Sequence, residues 1–365
     1  MGIPEYSTNR HKKIKLDLIP AENPFSMPEE ALAALTDRSA WTGSSVNAFE
    51  SFEKAVAARE KTTPECIVWG NDTEDLVYRI VQAIRPKKAL LYAPAPEMYR
   101  RALLGCGCEV REYMLTADDC FGLTADFADC IEPDTDIVFL CSPNDPTGEV
   151  ITPYTLGTIA ESCRRCNTLL ICDETYMELS QKSRKYSAAS LSGIHIAVLK
   201  DLGRTYAISG LGLGYAVFAS DRIADIIRKY SPARTVPAAA CAAAMAAIDD
   251  EAYLKRSRRY IARERKFLSE QLIRMGVMVY PSYAAFLLLR CELPLDALLM
   301  KRGIRIMSCA DMTGLGEGFF RIGIRTHAEN VRFVDNVERI LRAQRGALPQ
   351  SEVEPQTEDN EDITA

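Results

Sequence analysis

The sequence predicts an α/β protein: a doubly wound, mainly parallel sheet with a smaller α+β part beside it. Three observations predict this. Short apolar runs alternate with stretches whose apolar residues recur at helical spacing. Each apolar run ends in polar residues, as strands of a parallel sheet do when a site lies beyond their carboxyl ends. The chain has 365 residues, 47% of them hydrophobic, which is enough for one large core and a second, smaller one.

The elements follow in order. "CIVWG" (Cys66–Gly70) is a short apolar strand, and "TEDLVYRIVQAI" (Thr73–Ile84) is an amphipathic helix. "KALLYAPAP" is a strand ending in a proline-rich loop. "DIVFLCSPNDPTG" is a buried strand running into a turn, "TLLICDETYMEL" a buried strand ending in acids, and "IAVLKDLG" a further strand. In "VLKDLGRTYAISGLGLGYAVF" (Val198–Phe218) the right half reads as strand–turn–strand. "AAACAAAMAAIDD" and "YLKRSRRYIARERKFLSEQLIRMG" are helix-prone. "AAFLLLRCEL" and "FFRIGIRT" are strands, and "ENVRFVDNVERILRAQ" is a closing amphipathic helix. No internal repeat is visible.

Composition narrows the function. No apolar run reaches the ~18 residues of a membrane helix, and the amino terminus reads as neither a secretory signal nor a myristoylation site. A cytoplasmic protein is expected. The net charge of −6 comes from the tail Ser351–Ala365, which holds six acids and no bases and reads as a solvated, disordered end. The remaining 44 acids balance 44 bases, so nothing favours a nucleic-acid partner. The twelve cysteines include one C-x-x-C (Cys163, Cys166) and one C-x-C (Cys106, Cys108). With three unpaired histidines they make no zinc pattern and read as reduced thiols.

Several motifs occur in one order between Leu16 and Leu341: "LDLIPAENPFSMP", "SPNDPTGEVI", "CDETYMEL", "ISGLGLGY" and "SCADMTGLGEGFFRIGIRTHAEN". Together they resemble the class I/II aminotransferases, fold-type I enzymes that use pyridoxal phosphate. The branch they resemble most is that of histidinol-phosphate aminotransferase and threonine-phosphate decarboxylase. The resemblance implies a large domain over 45–235 and linking helices with a small domain over 236–345. Residues 1–44 would join the small domain, and 346–365 form the tail. It also implies a homodimer with sites at the subunit interface, or a heterodimer with an active paralogue, acting on a small amino-acid-like ligand.

Carried over residue by residue, Asp173 would pair with the pyridine nitrogen and keep the ring an electron sink. Tyr176 would hydrogen-bond the ring's phenolic oxygen, and Arg321 would grip a substrate carboxylate. Thr73 would open a helix whose amino terminus attracts the phosphate.

The departures fall on the cofactor side. The Schiff-base lysine's position is Arg204, six residues before Gly210. A guanidinium stays protonated and cannot attack an aldehyde. Lys200 falls at a position that is basic in the family but not catalytic. Around the phosphate, Asp201 replaces a serine, Gly212 an arginine, and Asp72 a glycine. At an effective dielectric near 20, each unit charge changed at ~4–6 Å weighs about 3–4 kcal/mol. Around the ring, Pro96 replaces the stacking aromatic and Asp145 an asparagine that donates to the phenolic oxygen. The tyrosine lent by the partner subunit maps near Ser44, and an arginine before the decarboxylase's D-C maps to Met307. Two readings stay open: a catalytically impaired homologue that binds pyridoxal phosphate weakly and without a covalent bond, if at all, and a working transaminase or decarboxylase.

Overall fold

A computed structural model describes residues 14–38, 46–191, 195–231 and 236–345. Ser44 and the acidic tail lie outside them.

Seven strands form the main sheet: β2 (Ile67–Gly70), β3 (Lys88–Ala93), β4 (Glu109–Met114), β5 (Ile137–Cys141), β6 (Leu169–Asp173), β7 (Ile196–Asp201) and β8 (Gly214–Phe218), preceded in the chain by a short β1 (Leu16–Asp17). Their order is β2-β8-β7-β6-β5-β3-β4, and β8 alone runs antiparallel to both of its neighbours. Every other pair is parallel. Strands β5, β6 and β7 are buried along their whole length, which explains their continuous apolar spelling. Helices cover both faces. Thr73–Ile84 and Glu97–Gly105 pack on one core with Leu91, Phe139, Ile171 and Leu199. Pro153–Cys166 packs on another, with Leu90, Val138, Leu140 and Val198.

The helix expected over Thr73–Ile84 has those limits in the structure. Asp72 caps it, its Oδ1 accepting from the Asp75 N–H at 2.8 Å. The Val198–Phe218 stretch differs from the expectation. The strand–turn–strand spans the whole stretch, not its right half: β7 ends at Asp201, Leu202–Thr205 is a short helix, Ser209–Leu211 a turn of 3₁₀, and β8 returns antiparallel. The glycine-rich run is needed for close approach: a Cβ on Gly214 would stand 2.7 Å from the Asp72 backbone. Strand β4 was not expected. It is a half-exposed edge strand, "EVREYM", without an apolar signature.

The second sheet has the order β12-β13-β10-β9, from β9 (Met278–Val279), β10 (Phe286–Arg290), β12 (Met307–Ser308) and β13 (Phe319–Gly323). Helices Glu251–Arg274 and His327–Arg345 pack on it through Ile261, Leu268, Phe333 and Val337. Strand β1 pairs in parallel with β11 (Ile304–Arg305), so the chain's first described residues lie against this second core. Among the described residues, no helix is long and apolar enough to cross a membrane. All twelve cysteines are free thiols.

Candidate functional site

Strands β2, β5, β6 and β7 point the same way, and their carboxyl ends open onto one cleft of about 120 Å³. The loops after those strands supply Asp72 and Thr73, Asp145, Asp173 and Tyr176, and Arg204. Arg321 reaches in from β13 of the second sheet. The sequence-derived candidates, spread over some 250 residues of chain, therefore meet at one place.

Asp173 ends β6 and is 1% exposed. Tyr99 donates to its Oδ2 at 2.6 Å, and the Thr175 N–H and hydroxyl donate to Oδ1 at 2.9 and 2.5 Å. Burial pushes its pKa up, while these donors and Arg204 pull it down, leaving it raised overall. The Thr175 hydroxyl also lies 2.9 Å from that of Thr73, tying β6 to the helix opening at Thr73. Sequence reasoning missed Tyr99 and Thr175. The Thr175 N–H bond could have been found, since an Asp side chain commonly accepts the backbone N–H two residues on. Tyr99 joins Asp173 across 74 residues and left no local signal.

Tyr176 is buried and donates to Asp145 Oδ2 at 3.0 Å. Arg321 donates to the same oxygen at 3.2 Å and to the Ile19 carbonyl at 2.6 Å. A clasp of Tyr176, Asp145 and Arg321 results, and it buries Asp145 Oδ1 and Arg321 Nε with no hydrogen-bond partner. Arg204 lies over the Tyr176 ring, its Cζ 5.5 Å from the centroid. Its Nε is 3.2 Å from Asp201 Oδ2, within ion-pair reach but too poorly aligned to count as a hydrogen bond. Asp201 caps the short helix by accepting the Arg204 N–H at 2.9 Å. Burial pushes the Asp201 pKa up to about 6 against the pull of Arg204, with Asp72 and Asp173 adding to the rise.

Lys200 turns away. Successive residues of a strand face opposite sides, so Lys200 and Asp201 diverge. The Lys200 Nζ lies 3.0 and 2.8 Å from the Glu60 carboxylate oxygens and 3.6 Å from Glu178. Tyr215 donates to Glu60 at 2.7 Å, and Arg59 and Arg258 flank Glu178. Burial pulls the Lys200 pKa down, but Glu60, Glu178 and Glu174 outweigh it. The result is a raised pKa, the reverse of an activated amine.

Pyridoxal phosphate, the cofactor that the resemblance implies, meets a donor set that suits it at one end only. Asp173, held by Tyr99 and Thr175, suits a pyridine nitrogen. Where the phosphate would lie are Asp72, Asp201 and the Arg204 that Asp201 neutralises. Asp72 already takes one amino-terminal N–H of the Thr73–Ile84 helix. Gly212 holds no cation, and its φ of +65° leaves space filled by Asn71: a Cβ there would stand 2.1 Å from Asn71 Oδ1. No lysine lines the cleft among the described residues. The residues present do not fit a lysine-bound pyridoxal phosphate. Among the described residues, no group of three or more His, Cys, Asp or Glu side chains could hold a metal ion.

The chain matches the family model for aminotransferase class I and II over residues 13–337. It is 31% identical to a threonine-phosphate decarboxylase of Salmonella typhimurium over 331 residues, covering 89% of this chain and 91% of that protein. It is 29% identical to histidinol-phosphate aminotransferase 2 of Carboxydothermus hydrogenoformans, over 80% and 82% of the two chains. In structure it resembles the histidinol-phosphate aminotransferase of Clostridium acetobutylicum, with a TM-score of 0.84, 21% identity, and coverage of 90% and 99%. The Sinorhizobium meliloti histidinol-phosphate aminotransferase, solved in complex with pyridoxal-5'-phosphate, gives a TM-score of 0.80 at 19% identity, over 91% and 92%. The fold is the fold-type I architecture, and with the family model spanning most of its length the chain belongs to the aminotransferase class I and II family.

Proposed function

We propose that this chain keeps the scaffold of its family without the lysine-dependent chemistry, and acts as a ligand-binding or regulatory protein or as the silent partner of an active paralogue. One observation carries the reading. The residue at the head of the cleft is Arg204, paired with Asp201, while the nearby amine, Lys200, is locked among Glu60 and Glu178 on the other side of β7. A guanidinium that stays protonated supplies neither a nucleophile nor a base. Pyridoxal phosphate then binds weakly and without a covalent bond. The other reading, a working transaminase or decarboxylase, draws its support from the retained Asp173 and its donors Tyr99 and Thr175.

Incubation with pyridoxal phosphate, borohydride reduction and intact mass tests the proposal. No stoichiometric adduct is expected. A single adduct per chain, mapped to Lys200, would overturn it. The family's dimer belongs to the proposal as well: light scattering should give twice the chain mass, and deletion of Ser351–Ala365 should leave that mass class unchanged.

A further inference from the structure

We infer that the acidic tail Ser351–Ala365 docks on the exposed basic face of the Glu251–Arg274 helix of its own chain, in a salt-sensitive electrostatic contact. None of the residues on this face lines the cleft, so the inference stands apart from the cleft's chemistry.

The helix carries the first observation. From Lys255 to Lys266, seven of twelve residues are Lys or Arg. The single acid among them, Glu264, is buried and already engaged by Arg263, His327 and Asn330. At 3.6 residues per turn, Lys255, Arg256, Arg259, Arg263 and Lys266 share one arc of about 100°, along about 17 Å of helix. All five are exposed. Lys255, Arg259 and Arg263 follow one another at intervals of four, where like charges repel. Exposed cations elsewhere take carboxylates, as Arg101 takes Glu74, Arg111 takes Glu132 and Arg164 takes Glu161. On this face Lys255, Arg256 and Arg259 have no ion pair among the described residues, and Arg256 lies only over the Phe25 and Tyr253 rings. One exposed acid, Glu270, answers the row, 3.8 Å from Lys266.

The tail supplies the missing charge. It holds six acids between Glu352 and Asp362 and no base, against the five cations of the row. Reach agrees. The tail follows the His327–Arg345 helix, whose first residue sits against the basic helix. The Tyr260 hydroxyl accepts the His327 N–H at 2.7 Å, and His327 Nδ1 lies 2.9 Å from Glu264 Oε2. The His327–Arg345 helix is about 28 Å long at 1.5 Å per residue. Asp362 lies seventeen residues past Arg345, which spans about 56 Å when extended at ~3.3 Å per residue. The tail can therefore return along the whole helix to the row of cations. A tether of this kind holds its end at an effective concentration near the millimolar range, where several weak surface pairs acting together keep the contact made. A separate polyanion lacks that advantage.

The test is zero-length carbodiimide coupling of the full chain, read by mass spectrometry. Amide bonds from the tail's carboxyl groups should fall on Lys255 and Lys266 at least fivefold more often than on the exposed Lys87 and Lys301, in chains that keep the single-chain mass on a denaturing gel. Raising salt from 0.05 to 0.5 M, which shortens the screening length about threefold, should remove the preference. Arg259→Glu keeps both lysines and touches an exposed side chain, and it should cut their coupling at least threefold. Arg302→Glu, an exposed cation elsewhere, should leave it unchanged. Even coupling to all exposed lysines, coupling only at twice the chain mass, or no effect of Arg259→Glu would overturn the inference. Labelled single-stranded RNA and anionic vesicles test other occupants. Measurable binding of either to the parent chain, equal to that of a chain with all six tail acids changed to amides, would show the face open and would also overturn it.

Discussion

The two ends of the cleft have been treated differently. At the ring end, Asp173 is buried and held by three donors from Tyr99 and Thr175, a site still shaped for a protonated ring nitrogen. At the phosphate end, Asp72 and Asp201 put negative charge where an anion would sit, and Asn71 fills the space above Gly212. On the proposed reading, a scaffold keeps its family's architecture, and even the carboxylate suited to a ring nitrogen, while the carboxylates at a single helix opening oppose a phosphate. The strand β7 repeats the contrast on a smaller scale. Of its two neighbouring charged residues, Asp201 serves the cleft and Lys200 serves the core.

The largest expected effect comes from reversing that charge. Asp72→Gly with Asp201→Ser removes two carboxylates from the phosphate end. At an effective dielectric near 20 each is worth about 3–4 kcal/mol before screening by solvent and salt. Affinity for pyridoxal phosphate, followed by absorbance titration, should rise by at least about a hundredfold. Arg204→Lys alone should not produce turnover. If the double variant binds no better than the parent, the comparison of the two ends is wrong.

The Lys200 side of β7 should matter for stability and not for the cleft. Lys200→Met leaves the Glu60 carboxylate buried without its cation, while Glu178 keeps Arg59 and Arg258; breaking such a buried pair costs about 3–5 kcal/mol. Arg204→Gln breaks a partly exposed pair and should cost under about 1 kcal/mol. Urea denaturation of both variants checks the order. Equal losses would mean that Arg204 is a structural residue.

Gly212 tests whether the phosphate end can be rebuilt piecemeal. Gly212→Ala places a Cβ at a φ of +65°, where an L-residue costs about 1–2 kcal/mol, and drives it into Asn71. Asn71→Gly in the same chain should recover the part due to the clash. A neutral Gly212→Ala would mean that the loop relaxes freely, leaving room for an arginine there.

A further effect is in pH. Burial raises Asp201 to about 6 from 3.8 and Glu174 to about 7 from 4.5. Both acids hold their proton more tightly folded than unfolded. Each therefore favours the fold at low pH, and that contribution is lost as pH rises through about 6 and 7 respectively. Asp201→Asn keeps a capping oxygen for the Arg204 N–H and should flatten the fall in stability between pH 4 and 7, by roughly 1–3 kcal/mol at about 1.4 kcal/mol per pKa unit. A variant that parallels the parent across that range would place the Asp201 carboxyl in a more hydrated setting.

Much of this was legible in the sequence, for physical reasons that differ by element. The buried strands β5, β6 and β7 spell their burial as apolar runs, and the Thr73–Ile84 helix spells its face at a 3.6 period. Asp72, Thr73, Asp145, Asp173, Tyr176 and Arg204 were placed by motif order, and they line one cleft. Strand β4 was missed because an edge strand solvated on its flank needs no apolar residues. Tyr99 was missed because its bond to Asp173 exists only after the Glu97–Gly105 helix packs on β6. The fate of Lys200 was readable in part. Alternation along "IAVLKD" sets it opposite Asp201, but its partner Glu60 lies 140 residues away. The Tyr176–Asp145–Arg321 clasp could not be foreseen, because it depends on β13 of the second sheet meeting the turn after β5.

On the proposed reading, the phosphate end of the cleft is turned against an anion while the ring end is kept. Calorimetric titration of the full chain with pyridoxal phosphate at physiological salt tests it most directly. The expected result is binding weaker by several powers of ten than a covalent cofactor site gives, with no saturation below roughly 100 μM, about −5.5 kcal/mol. A sub-micromolar dissociation constant would contradict the account. It would mean that Arg204 reaches the phosphate itself and that the site has been rebuilt around the arginine.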